Sequence, residues 1–142
     1  MQYILLSLHL TSLAFVIYNV ILADHLGFTW IRGKSQTLPE DKIKKYHKRV
    51  WIGLILMIVT GFTMFWPMRE FLLSRPQFYV KMLFVAGLLI NSFAIGKLSL
   101  LPITRTFASL STKEKVPLLI SGAVSTLCWL GAIAGGFYLI PE

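Results

Sequence analysis

The 142-residue chain is predicted to be all-α, an integral membrane up-down-up-down four-helix bundle with both termini outside. Three observations predict it. Apolar residues make up 56% of the sequence and charged residues 14%, far from the balance of a water-soluble domain. The apolar residues gather in windows at 2–23, 50–66, 78–101 and 116–140, and a spanning helix needs about 20 of them. The cations gather between the first and second windows and between the third and fourth, and short basic loops stay cytoplasmic.

Each window is a continuous apolar run rather than an alternating one. That pattern excludes a barrel, and lipid then requires helices, because only they satisfy their own backbone. The domain reading is a single transmembrane unit over 1–142 with a basic cytoplasmic stretch at 24–49. The first window has no basic leader and no small-residue cleavage site, so it reads as a mature helix rather than a signal peptide. It is followed by a polar loop, Asp24–Thr37, containing Gly27 and Gly33. Thr37-Leu38-Pro39-Glu40 has the form of a capping box, which starts the second helix at Thr37, before the membrane. The outer loop is read from Pro67 to Pro76, Pro102 is expected to close the third helix, and Ser111-x-x-Glu114 to open the fourth.

The net charge of +8 would suit a polyanion, but its placement argues for topology and for attraction to anionic lipid, not for nucleic acid. Arg32, Lys34, Lys42, Lys44, Lys45, Lys48 and Arg49 precede the second span; Lys97, Arg105, Lys113 and Lys115 lie between the third and fourth; the outer side has only Arg69, Arg75 and Lys81. Trp30, Trp51, Trp66, Tyr46, Tyr79 and Tyr138 fall near span ends, where an aromatic belt anchors helices. The single cysteine, Cys128, falls inside the fourth span and provides neither a disulfide framework nor a thiolate cluster.

The polar groups inside the spans are the candidates for function. His9 sits about 10 Å below the outer end of the first helix, and Lys81 about 6 Å below the outer end of the third. An ionisable group at such depth normally faces the protein interior. His9 has two readings: the metal ligand of a haem b, or a structural or proton-handling histidine bonded to Thr60 or a backbone carbonyl. For haem, Met57, Met64 or Met82 would complete the axial pair, and Gly61, Gly87, Gly131, Gly135 and Gly136 would leave a slot for the macrocycle. Lys81 would meet a propionate or a quinone, or else snorkel to the interface.

His25 and His47 flank the cytoplasmic loop, where the surrounding cations favour a basic collar over ligation. Asp24 lies at the inner end, at a depth where Lys97 could pair with it. Asn19, Asn91 and Ser125 fall at similar depth and are read as hydrogen-bonding glue between helices, with quinone or substrate contact as the alternative. Gly131-Ala-Ile-Ala-Gly135 is a GxxxG motif that allows close helix approach, within the bundle, in a homodimer or in a larger membrane complex. No soluble-type catalytic motif is present, so the chain does not read as an enzyme on its own.

His9, Asp24, Trp51-Ile-Gly53-Leu54, Lys81-Met82, Asn91 and Trp129 together resemble a group of small, largely uncharacterised bacterial and archaeal four-span membrane proteins. The arrangement also looks like copper-resistance-D and b-type cytochrome membrane modules, in which histidines on neighbouring helices hold haem. The chain departs from those modules in having no histidine in its third or fourth helix. The resemblance implies a prokaryotic membrane protein, and the leading functional reading is a b-cytochrome-type redox module of the plasma membrane with one haem in the outer half. The competing readings are a cofactor-free subunit or scaffold of a membrane assembly, and a small transporter or proton-handling protein using His9, Lys81 and Asp24.

Overall fold

Long apolar runs rich in Leu, Ile, Ala and Met favour helix, and lipid-length runs give long ones. The computed structural model describes residues 1–139, and residue 140 of the last expected span lies outside the described residues. The elements are α1 (Gln2–Ile31), α2 (Glu40–Leu73), α3 (Pro76–Leu98), α4 (Leu100–Thr104), a 3-10 turn (Phe107–Ser109) and α5 (Thr112–Phe137). No strand occurs among the described residues. Four helical stretches, with α3 and α4 counted as one, are long and apolar enough to cross a membrane.

The chain divides into two compact units, Met1–Pro67 with Ser99–Leu110, and Met68–Leu98 with Ser111 onward. In the first unit, α1 runs past Ala23, through the stretch expected to be a loop, and stops at Ile31. Its length is about 45 Å, more than the hydrocarbon layer requires. Gly33, at φ 71°, makes the stop. Gly33 N–H donates to Trp30 O (3.1 Å) and Lys34 N–H to Thr29 O (2.9 Å), the paired bonds of a Schellman cap. Only glycine enters that left-handed conformation cheaply.

The connection after α1 is tied to the segment that follows α3. Trp30 is buried, its Nε1–H donates to Arg105 O at 2.9 Å, and its ring meets Phe107 edge-on at 5.2 Å. Leu38, also buried, donates its N–H to Pro102 O at 2.7 Å. Trp30 is therefore a packing latch within this unit rather than a solvent-side anchor. The start of α2 lies at Glu40, not Thr37, with the Pro39 carbonyl accepting from Ile43 N–H (3.2 Å). Glu40 and Asp41 in its first turn complement the helix dipole.

Further along the chain, α2 continues through Pro67 to Leu73, so the outer connection shrinks to Ser74–Arg75. Proline removes one ladder bond, and the helix-favouring residues beyond it, Met68, Arg69, Glu70, Leu72 and Leu73, keep the helix going. In the second unit, Tyr79 closes that turn by donating its hydroxyl to Leu73 O at 3.0 Å, and Pro76 opens α3 where a missing N–H costs nothing. Pro102 does not close the third helix: α3 ends at Leu98, and Pro102 lies in the first turn of α4. Ser111 is the N-cap of α5, as its motif predicts, although its hydroxyl makes no cap bond; its carbonyl accepts from Glu114 N–H (3.0 Å).

Candidate functional site

In the first unit, α1 and α2 meet along two small residues of α2. At Gly53 an added Cβ would collide with the Cγ2 of Val16, so the glycine is what lets the helices come together there. At Gly61 the imidazole of His9 fills the space, with Cε1 3.5 Å from where a Cβ would stand. His9 Nδ1 lies 2.8 Å from Thr60 Oγ1.

That hydroxyl has one proton, and Leu56 O lies 2.8 Å from it, with Met57 O at 3.2 Å. With the Thr60 proton on the carbonyls, His9 Nδ1–H donates to Thr60 Oγ1; with that proton turned to His9 Nδ1, the roles reverse. In either case Nδ1 is the ring nitrogen that Thr60 anchors. Met57 and Met64 fall one turn either side of Thr60, on its helical face, and both are half-buried.

The second unit is built on an antiparallel seam between α3 and α5. Asn91 Nδ2 donates to Ser121 O (3.1 Å) and Ser121 Oγ–H donates to Asn91 Oδ1 (2.8 Å), both bonds buried. Toward the other end, Cys128 Sγ would lie 2.8 Å from a Cβ at Gly87. The Phe84 ring would lie 2.5 Å from one at Gly131, and Lys81 Cβ 3.0 Å from one at Gly135. Lys81 Nζ lies 3.5 Å from the corresponding point at Gly136. Sequence reasoning placed a macrocycle slot at these glycines. Within this unit their space belongs to Phe84, Cys128 and the Lys81 stem.

The remaining candidates separate cleanly. Asn19 does not act as glue between helices: its Nδ2 donates back to Phe15 O of its own helix (2.8 Å), and its buried Oδ1 has no partner. His47 accepts from Trp51 Nε1–H at 3.1 Å, so its Nε2 is already engaged. Asp24, His25 and Met82 are exposed, and Ser125 is half-buried. Among the described residues no three His, Cys, Asp or Glu side chains cluster as metal ligands. The Gly131 and Gly135 motif marked the face of α5 along which α3 packs; the occupant that no sequence signal announced is Phe84, directly across from Gly131.

Scans against protein-family models, curated proteins and solved structures return no match. The site is therefore read from its own geometry. A haem would find in His9 an imidazole already oriented through Nδ1, which fits an axial ligand. It would not find a slot at Gly87, Gly131, Gly135 and Gly136.

Proposed function

We propose that the chain is an integral membrane four-helix bundle, N-out and C-out, that works without a cofactor of its own as a subunit or scaffold of a larger membrane assembly. Large apolar side chains lie exposed along every long helix, for example Tyr3 (86%), Phe62 (63%), Leu83 (73%) and Leu127 (64%), a load that water would not tolerate and lipid welcomes. The observation that supports this reading is the filled seam of the second unit. Phe84, Cys128 and Lys81 occupy the spaces at Gly131, Gly87 and Gly135, where the sequence suggested a slot. A homodimer through Gly131 and Gly135 would have to displace α3, so partner contact is assigned to the outward apolar faces instead.

The Thr60-anchored imidazole of His9 supports a second reading, a b-haem redox module. In it His9, with Met57 or Met64 of the same unit, would hold the haem. Haem would supply one-electron transfer; the chain would supply the Thr60-anchored imidazole and the apolar surroundings. An absorption spectrum of detergent-purified protein from haem-replete cells separates the two. The first reading predicts no Soret band. A Soret band that shifts on reduction and disappears in His9→Ala establishes the second.

A further inference from the structure

One stripe of α2 changes character halfway along. Asp41, Lys45, Lys48, Ile52, Ile55 and Val59 follow one another at alternating spacings of four and three, so they lie on a single helical face. All of them are exposed. The stripe is charged through Lys48 and wholly apolar from Ile52 on, and about 6 Å of helix separates the two.

Around the charged half, Lys44 and Arg49 join Asp41, Lys45, Lys48 and Ile52 to line a shallow groove. Lys44 is ion-paired with Glu40, and Asp41 offsets part of the remaining charge, so Lys45, Lys48 and Arg49 are the cations that give the groove its sign.

We infer that this groove is a binding site for an anionic phospholipid, with the phosphate headgroup on Lys45, Lys48 and Arg49 and the acyl chains running down Ile52, Ile55 and Val59. The inference rests on the membrane reading above. Charge complementarity alone would accept any anion. The order along the stripe favours the lipid, because a phospholipid carries its anionic head and apolar tails in the same sequence as the helix, so one molecule meets both halves. The register also sets the depth of α2, since the boundary between Lys48 and Ile52 would coincide with the headgroup layer.

The test uses the full-length protein in bilayer discs of phosphatidylcholine and phosphatidylglycerol in equal amounts, with retained lipid read by native mass spectrometry. The expected result is preferential retention of phosphatidylglycerol, reduced by about ten-fold or more in a Lys45→Gln, Lys48→Gln, Arg49→Gln variant. A Lys113→Gln, Lys115→Gln control should keep the preference. Equal retention of both lipids, an unchanged preference in the triple variant, or an equal loss in the control would overturn the site. Loss of the bound lipid on adding inorganic phosphate would also overturn it, by showing a headgroup-only anion site. A protein that enters the discs and shows no preference refutes this inference alone; one that fails to enter refutes the membrane reading with it. Circular dichroism of the triple variant confirms that the helices persist.

Discussion

Asn91 and Asn19 are both buried, yet only Asn91 reaches another helix. Interhelical hydrogen bonds in membranes are worth about 0.6 kcal/mol on average and up to about 1.7 kcal/mol. Asn91→Leu removes both bonds to Ser121 and should cost roughly 1–2 kcal/mol in reversible unfolding from mixed micelles. Asn19→Leu should be neutral or stabilising in the same assay, because it removes an acceptor buried without a partner. A comparable loss for both would contradict the unpartnered state of Asn19 Oδ1. Depth along the helix made these asparagines legible in the sequence as a pair. Rotation about the helix axis, which decides whether an amide faces a neighbour or its own backbone, was not legible. The same limit applies to His9. Its position inside a long apolar run singled it out, and Thr60 was a foreseeable partner, but only the side-chain geometry shows which ring nitrogen is anchored.

At the level of elements, close helix approach is concentrated at a few glycines. Gly53→Ala would drive a methyl into Val16 and should cost about 1–3 kcal/mol, with most of the loss recovered in a Gly53→Ala, Val16→Ala double variant. Gly122 has nothing within 4 Å of an added Cβ, so Gly122→Ala should be neutral or gain up to about 1 kcal/mol. Equal effects at the two sites in the unfolding assay would contradict the packing described. The existence of the long helices was legible from apolar run length, and so was the N-cap at Ser111. Their ends were less so. Helix α1 was expected to stop at the first polar residues, Asp24 and His25, but a polar side chain does not break a helix; the left-handed Gly33 does. Pro67 was read as the start of a loop, yet a proline followed by good helix formers removes one hydrogen bond without ending the helix. Trp30 was assigned to an aromatic belt because it lies near a span end. Its indole instead holds the segment around Arg105 and Phe107, a contact remote in sequence that no local pattern announces.

For the whole molecule, the account predicts that the basic segments face the cytoplasm. In a Cys128→Ser background, Lys34→Cys should react with a membrane-impermeant maleimide only after cells are permeabilised, and Arg75→Cys should react in intact cells. The reverse pattern would invert the topology while leaving the helices in place. Beneath topology lies the claim that lipid covers the exposed apolar faces of these helices. Alkaline carbonate washing of membranes from expressing cells, without detergent, tests it most directly. The protein should remain in the membrane pellet; recovery of folded, helical protein in the aqueous supernatant would contradict the account.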